Sequence, residues 1–115
     1  MVPGCGCNDM ARKSGMVVIS CTASPEKAPV IAKTLVADRL IACANIMPVR
    51  SIYRWKGAIC DEGELLLVMK TREENADKVI AAIREMHTYE VPEIIVLPVM
   101  KGHGPYLDWI IRETG

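Results

Sequence analysis

The sequence predicts an α+β protein of the ferredoxin-like class, a β-α-β-β-α-β sandwich with an extra C-terminal helix. Two short, apolar runs at 16–21 and 93–99 are typical of strands, and the β-branched run at 16–21 predicts a strand buried on both faces. Between them lie two stretches with apolar residues at helical spacing, which flank two long alternating segments at 41–55 and 58–71. Elements in this order place two helices on one face of a four-stranded sheet.

Two regions of different composition set the domain boundary. Residues 1–15 are rich in Gly, Asn, Asp, Ser and Lys and have no hydrophobic period, so they are predicted to form a disordered N-terminal extension. Residues 16–115 suffice for one domain and not for two. Cys5 and Cys7 in the extension could chelate a soft metal, but two thiolates on a floppy tail make a weak site.

The first helix is predicted to follow the strand 16–21 after a short break. Ser24 is a suitable N-cap and Pro25 suits the first helical position, with apolar residues at helical spacing as far as Leu40. Pro29 lies beyond Pro25, where a proline removes a backbone donor and clashes one turn back. A distorted or late start of this helix is therefore expected.

A long hairpin is predicted from the two alternating segments, with Lys56-Gly57 as its turn and Gly63 as a bulge. Pro48 cannot donate to a ladder, so it must lie at an edge, a bend or a bulge. A straight strand over 41–55 would reach roughly 50 Å at about 3.3 Å per residue. A domain of this size should have a radius of gyration near about 13 Å, so the outer half must bend back or overhang.

The second helix is predicted to begin at a capping box formed by Thr71 and Glu74. Its apolar stripe runs from Ala76 to the neighbourhood of His87. After the strand at 93–99, glycines and a proline break the chain before a final helix around 106–112.

Charge and cysteine usage exclude several classes of function. Fourteen basic and fourteen acidic residues give a formal charge of zero, so no nucleic-acid partner is expected. No apolar stretch approaches the roughly 20 residues of a membrane span, so no membrane segment is expected and a cytoplasmic location is predicted. Five scattered cysteines do not indicate a disulfide framework. Phosphate-binding loops and hydrolase motifs are absent from the sequence.

A soft, polar set near the predicted strand ends is the strongest candidate site: Cys21, His87, Tyr89, Glu90 and Glu93. Thiolate, imidazole and carboxylate together suit copper or zinc. Cys21 and His87 each also have a purely structural interpretation that involves no metal. Cys21 ends a buried strand and would then be an inert core thiol, and His87 would be a C-terminal helix cap.

A Cys–His nucleophile is the enzymatic alternative, with Cys21 or Cys43 paired to His87. The sequence offers no evident third residue to orient the histidine and no Gly-rich oxyanion loop beside either cysteine. The chain is therefore not expected to be an enzyme.

Four large amphipathic rings lie at the predicted hairpin tip and on the final helix: Tyr53, Trp55, Tyr106 and Trp109. Such rings commonly anchor subunit contacts. Capping of the protein's own core is an equally good interpretation of the same residues.

Four segments, in order across residues 16–114, resemble the CutA divalent-cation-tolerance family: ACANIMPVRSIYRWKGAI, LLLVMKT, HTYEVPEIIVLPV and PYLDWI. The resemblance implies a ferredoxin-like subunit in a tight, PII-like homotrimer. It also implies a link to copper and other divalent cations such as zinc, and no well-established reaction.

The resemblance extends to individual residues. Cys21 and His87 match positions associated with copper ligation in bacterial members. For a metal site built on this pair, Glu90 or Tyr89 is the expected outer support. Met86 stands at a position that can hold a second histidine in such members, and its thioether suits Cu(I) better than Cu(II) or zinc. The expected function is that of a homotrimeric copper-binding protein in metal-ion tolerance or homeostasis. The alternative is a PII-like signalling or interaction scaffold in which metal binding is incidental.

Overall fold

The structure, a computed structural model, describes residues 14–115. Its elements in chain order are β1 (Met16–Ala23), α1 (Lys27–Ala37), β2 (Cys43–Trp55), β3 (Ala58–Arg72), α2 (Ala76–Met86), β4 (Ile94–Val99) and α3 (Gly104–Glu113). The four strands form one antiparallel sheet in the order β2-β3-β1-β4. The predicted ferredoxin-like arrangement with an extra C-terminal helix is confirmed. Within residues 14–115, no helix is long and apolar enough to cross a membrane.

Most of the predicted extension, including Cys5 and Cys7, lies outside the described residues. Its last two residues are hydrogen-bonded to the domain. Ser14 Oγ donates to the carbonyl of Val99, and the carbonyl of Gly15 accepts from Glu73 N at 2.9 Å. Ser14 and Gly15, which the sequence assigns to the extension, thus contact the domain.

The late start predicted for α1 is confirmed, and its cause is the placement of the prolines. Ser24 caps this turn as predicted, since Lys27 N donates to Ser24 Oγ at 3.2 Å and Ala28 N donates to Ser24 O at 2.9 Å, while the helix itself spans Lys27–Ala37. Pro29 is then the third residue of α1. Pro29 has no N–H to donate to the next carbonyl, that of Pro25, so the helical hydrogen-bond ladder is interrupted after Ala28 and the regular helix begins at Lys27.

The long hairpin formed by β2 and β3 has the predicted two-residue turn. Lys56 and Gly57 both have positive φ, 49° and 82°, the conformation of a turn that matches the twist of the flanking strands. Pairing continues without interruption from Trp55↔Ala58 to Cys43↔Lys70. The bulge predicted at Gly63 is wrong, because Gly63 pairs directly with Arg50 in this regular register. Pro48 lies on β2, an edge strand, as its missing N–H requires.

The capping box predicted for the second helix is wrong. Thr71 is still part of β3, and its buried hydroxyl donates to the carbonyl of Leu40 at 2.6 Å instead of capping a helix. A short 3₁₀ turn, Glu73–Asn75, intervenes before α2 begins at Ala76. Asn75 Nδ2 donates to Thr71 Oγ1 at 3.2 Å and to the Leu40 carbonyl at 3.3 Å. This tertiary network occupies the groups that the sequence suggested for a local cap.

The core lies between one face of the sheet and the helices α1 and α2. Its fully buried side chains are almost all aliphatic and include Ile19, Cys21, Ile31, Leu35, Leu67, Met69, Val79 and Ile83. On the other face, α3 covers one end of the sheet, where Ile110 packs with Met16 and Ala42. The rest of that face is apolar and open, with Ile95 and Leu97 47% and 50% exposed.

One end of the hairpin extends beyond the sheet. β1 pairs with β3 only from Leu65 to Arg72, so residues 58–64 of β3 pair with β2 alone. We call residues 49–64, this two-stranded end, the hairpin tip. The overhang gives the chain extents of 49 × 34 × 23 Å and a radius of gyration of 15.6 Å, above the value predicted for a compact domain.

Candidate functional site

A cavity of about 490 Å³ lies between the hairpin tip and the loop 87–93. We call it the tip cavity. Its walls carry three aromatic rings and four carboxylates: Tyr53, Trp55, Tyr89, Glu62, Glu64, Glu90 and Glu93. A volume of this size is in the range of small-molecule sites, roughly 300–1,000 Å³.

Strand geometry explains how the hairpin supplies its part of this wall. Glu62 and Glu64 are two residues apart on β3, so their side chains point to the same face of the sheet. Tyr53 on β2 pairs with Cys60, which places the Tyr53 ring diagonally next to Glu62 on that face. Thr22, near the end of β1, also lines the cavity, on the same face of the sheet as Glu64.

Two tyrosine hydroxyls hold two of the carboxylates. Tyr89 Oη donates to Glu64 Oε1 at 3.0 Å, and burial together with this hydrogen bond raises the pKa of Tyr89 to about 12. Tyr53 Oη donates to Glu62 Oε1, and that hydrogen bond raises the pKa of Tyr53 well above its ordinary value. Both phenols are therefore protonated near neutral pH, and each fixes one oxygen of its carboxylate.

The negative charge of the cavity is only partly compensated by the chain. Lys56 Nζ lies 3.9 Å from Glu90 Oε1 and 5.7 Å from the centroid of the Trp55 ring. Glu64 is 8% exposed, and in the part of the chain described no cationic side chain forms an ion pair with it. Among the described residues, the partner of this carboxylate is the neutral hydroxyl of Tyr89 and not a cation.

Cys21 lies on the core side of the sheet, facing away from the carboxylates on β3. Its side chain is fully buried, and Sγ donates to the carbonyl of Thr22 at 3.5 Å. Burial, together with the negative charges of Glu93 and Glu64, raises the pKa of the Cys21 thiol to about 12. The thiol is therefore protonated near neutral pH.

His87 caps α2 and reaches the same carbonyl. Its backbone N donates to Ile83 O at 2.8 Å, in the capping position that the sequence offered as one interpretation. Ring atom Nδ1 accepts from Tyr89 N at 3.1 Å, so Nε2 carries the proton and donates to Thr22 O at 2.7 Å. Cys21 Sγ and His87 Nε2 thus converge on one oxygen atom.

The structure brings some of the predicted metal-site residues together and separates others. Cys21 and His87 meet at Thr22 O, while Tyr89 and Glu90 line the tip cavity. Met86 instead packs against the core. Among residues 14–115, no three His, Cys, Asp or Glu side chains are arranged to hold a metal ion. Two donors, the Cys21 thiol and the His87 imidazole, are available to copper here. To bind a metal ion, the thiol must lose its proton and His87 Nε2 must give up its hydrogen bond to Thr22 O.

The four predicted interface rings form two separate groups. Tyr53 and Trp55 stand half-exposed at the hairpin tip. Tyr106 and Trp109 stack on α3, with ring centroids 5.6 Å apart and planes inclined by 25°. Trp109 also packs against the cluster around Ile110, so it covers part of the chain's own core.

Sequence reasoning missed Glu62, Glu64 and Thr22 as cavity residues. A signal for the two glutamates was present. A two-residue turn at Lys56-Gly57 fixes the register of the hairpin, and that register puts the alternating Glu62 and Glu64 on the face of Tyr53. No comparable signal in the sequence identifies Thr22.

Sequence comparison places this chain among known relatives. A family model described as CutA1 divalent ion tolerance protein matches residues 16–113. The divalent-cation tolerance protein CutA of Thermus thermophilus is 45% identical over 100 residues, which cover 86% of this chain and 97% of that protein. Human protein CutA is 42% identical over 85 residues, covering 73% of this chain and 48% of the human protein. The chain thus spans about half the length of the human relative.

Two solved structures of CutA proteins superpose on this chain. The periplasmic divalent cation tolerance protein CutA from Archaeoglobus fulgidus superposes with a TM-score of 0.85 at 37% identity, over 87% of this chain and 99% of that one. The PII-like protein CutA from Nostoc sp. PCC 7120, in its apo form, gives a TM-score of 0.82 at 36% identity, over 86% and 97% of the two chains.

Proposed function

The chain belongs to the CutA1 divalent ion tolerance family, and on that premise we propose that it is a homotrimer that binds divalent cations, copper among them, in metal-ion tolerance. Copper binding is supported by one observation: Cys21 Sγ and His87 Nε2 both form hydrogen bonds to the carbonyl oxygen of Thr22. Thiolate and imidazole are ligands that copper takes in proteins, whereas magnesium and calcium prefer oxygen. The same pair supplies only half of the four ligands of a structural zinc site.

Copper titration tests this ligand pair. Binding of Cu(I), Cu(II) and Zn²⁺ is measured by calorimetry in a chain carrying Cys5→Ser and Cys7→Ser, so that the extension contributes no thiolate. We expect Cys21→Ser and His87→Ala each to weaken copper binding about tenfold or more, because each removes one of two ligands. Cys43→Ser, which removes a half-buried thiol elsewhere, should bind copper like its parent.

Wild-type copper affinity in both ligand variants would show that these residues are not the ligands. Loss of binding on replacing Cys5 and Cys7 alone would instead assign it to the extension.

The homotrimer is supported by the hairpin tip. Residues 58–64 of β3 have β2 as their strand neighbour on one side, and no described strand lies on the other. Exposed strand edges are templates for aggregation unless another chain or element covers them. A closed ring of identical subunits covers the same edge in every copy.

The open face of the sheet supports assembly independently. Val18, Leu66 and Val68 are half-buried there, beside the more exposed Ile95 and Leu97. A contiguous apolar face of this kind is typical of a subunit interface. The proposed trimer therefore buries this face together with the hairpin tip.

Trp55 at the hairpin tip is the proposed anchor of assembly, with Tyr53, Tyr106 and Trp109 as further contacts. In sedimentation velocity, Trp55→Ala should lower the trimer fraction more than Cys43→Ala does, because a large ring contributes more to a buried contact than a thiol. An unchanged trimer fraction in Trp55→Ala would show that Trp55 is not the anchor, and the proposed trimer itself would stand.

A second candidate function, a PII-like signalling scaffold, is favoured by the size of the tip cavity. A volume of about 490 Å³ with three aromatic rings exceeds the needs of a single metal ion and suits a small molecule. In this alternative, metal binding is incidental.

We further propose that the chain is not an enzyme and that it works in the cytoplasm. The best candidate nucleophile, Cys21, is a buried thiol with a pKa of about 12. Alkylation of Cys21, followed by mass spectrometry, should be slow at neutral pH and rise about tenfold per pH unit below that pKa, because only the thiolate reacts. Rapid labelling at pH 7 would reopen the thiol-enzyme alternative. Fractionation of cells that express the full chain tests its location.

A further inference from the structure

We propose that two arginines, Arg39 and Arg72, hold the C-terminal end of α3 on the domain, and that loss of their contacts detaches α3 as a unit and weakens assembly. We call this pair the arginine clamp. The link to assembly rests on the proposed homotrimer, because α3 carries Tyr106 and Trp109, two of its expected contacts. All contacts of the clamp described below are formed within one chain.

The end of α1 has an arginine where glycine is the usual residue. Arg39 N donates to Val36 O at 3.0 Å, and Leu40 N donates to Leu35 O at 3.0 Å. These two hydrogen bonds form a Schellman motif, in which the residue after the helix cap is left-handed and most often glycine. Arg39 occupies that position with a φ of 60°. A residue with a Cβ atom is strained there, so Arg39 makes this turn less stable than glycine would.

The side chain of Arg39 binds the C-terminal backbone of a different helix. Its Nη2 donates to Arg112 O at 2.6 Å, and its Nε donates to Gly115 O at 3.3 Å. The last carbonyls of a helix have no partner within it, and a guanidinium there also meets the negative end of the helix dipole. Glycine would relieve the turn but could not reach α3. The strained residue at the end of α1 therefore supports α3 rather than α1.

Arg72, the last residue of β3, holds the same end of α3 from the sheet. Its Nε donates to Thr114 Oγ1 at 3.0 Å, and its Nη2 donates to Thr114 O at 2.5 Å. Thr114 is the C-cap of α3 and is buried, and its hydroxyl donates to Ile110 O at 2.7 Å. Guanidinium groups from two different elements thus converge on the last turn of α3.

Apolar packing attaches α3 only through a small cluster. Ile110 is the one buried residue of α3, and it packs with Met16 and Ala42 apart from the main core. Leu107 and Trp109 pack against this cluster but are only partly buried. Elements with few buried apolar contacts open locally at a lower free energy than the core does. Loss of the clamp should therefore release α3 while the body of the domain stays folded.

Hydrogen exchange of the full chain, followed by mass spectrometry at a protein concentration that keeps it assembled, tests the clamp. We expect Arg39→Gln and Arg72→Gln each to speed exchange of the α3 amides about tenfold or more, with the β1 amides unchanged. In sedimentation velocity, both variants should dissociate at a clearly higher protein concentration than wild type. The matched control, Arg84→Gln on the exposed surface of α2, removes the same charge and should stay within about twofold in both measurements.

Arg39→Gly separates the clamp from the turn that carries it. Glycine removes the strain of the left-handed residue, so the slowest β1 amides, which report global unfolding, should be protected at least as well as in wild type. The α3 amides should nevertheless exchange faster, as in Arg39→Gln. If Arg39 acts only at the end of α1, exchange of α3 stays unchanged, and that result would overturn the proposal.

Failure of the clamp and failure of the trimer give different results. Unchanged α3 exchange in both glutamine variants of a trimeric protein overturns the clamp alone. Faster α3 exchange with wild-type dissociation overturns the link to assembly. A wild-type chain that stays monomeric overturns the homotrimer, and the link with it. If Arg72→Gln fails to fold, the two Arg39 variants decide.

Discussion

The body of the domain and the hairpin tip differ in how their side chains are covered. In the body, side chains such as Ile31, Leu67 and Ile83 are fully buried between sheet and helices. At the tip, Ile52 and Ile59 are 64% and 70% exposed although the strands are regularly paired. Backbone pairing alone therefore builds the tip, while packing within the chain stabilises the body. In the proposed trimer, neighbouring copies bury the apolar side chains of the tip.

The largest expected difference between the two regions is the effect of truncating an isoleucine. Ile83→Ala leaves a cavity in the core and should lower the free energy of unfolding by about 2–5 kcal/mol. Ile59→Ala should instead shift the protein concentration at which the assembly dissociates, with far-UV circular dichroism unchanged at high concentration. Urea unfolding and sedimentation measure the two effects. If Ile83→Ala and Ile59→Ala lower the free energy of unfolding equally and leave assembly unchanged, the body and the tip do not differ in this way.

The buried polar network of the body should be the next most sensitive feature. Thr71→Val keeps the shape of the side chain but leaves the Leu40 carbonyl without its 2.6 Å hydrogen bond. The expected loss is about 1–3 kcal/mol, because the Leu40 carbonyl keeps only the longer hydrogen bond from Asn75 Nδ2 and Asn75 loses its Thr71 acceptor. Thr88→Val makes the same change at an exposed position and should stay within about 0.5 kcal/mol. Equal effects in urea unfolding would mean that the network contributes nothing.

Backbone conformation is the main local constraint on the tip. Gly57 has a φ of 82° and no side-chain obstacle within 4 Å, so Gly57→Ala costs only conformational strain. We expect destabilisation by about 1–2 kcal/mol. Gly63→Ala, in the paired strand and equally open space, should stabilise the protein by about 0.5–1 kcal/mol. Thermal unfolding distinguishes them, and the same sign for both would contradict the turn conformation.

The exposed ion pair of the tip should contribute least. Arg50 forms a two-pronged contact with Asp61, with N···O distances of 2.8 and 2.6 Å, but both side chains are largely in solvent. Solvent and salt screen such pairs, so Arg50→Gln should not measurably change the urea midpoint. A clear loss in that variant would indicate that assembly buries the pair.

The sequence predicts local features of this fold better than contacts between distant segments. The hairpin, its Lys56-Gly57 turn and the edge position of Pro48 follow from residue types and alternation within one segment. The local pattern predicts a helix cap at Thr71, but the hydroxyl donates to the carbonyl of Leu40, which is 31 residues away in the chain. The bulge predicted at Gly63 does not form, because an isolated glycine in a strand produces a bulge only where the register or the available space requires one.

The candidate site divides in the same way. Cys21 and His87 were identifiable from residue chemistry, but their shared acceptor, Thr22 O, depends on how the end of α2 docks on β1. The acidic wall at Glu62 and Glu64 follows from the hairpin register once the turn is fixed. The loop that closes the tip cavity with Tyr89 has no periodic pattern, and only the folded chain positions it.

Sedimentation equilibrium of the full chain at micromolar concentration tests most directly whether neighbouring copies complete the hairpin tip. We expect a single species with three times the subunit mass of 12.7 kDa, because in the proposed trimer three tips and three open sheet faces are covered together. A stable, folded species of 12.7 kDa would contradict it.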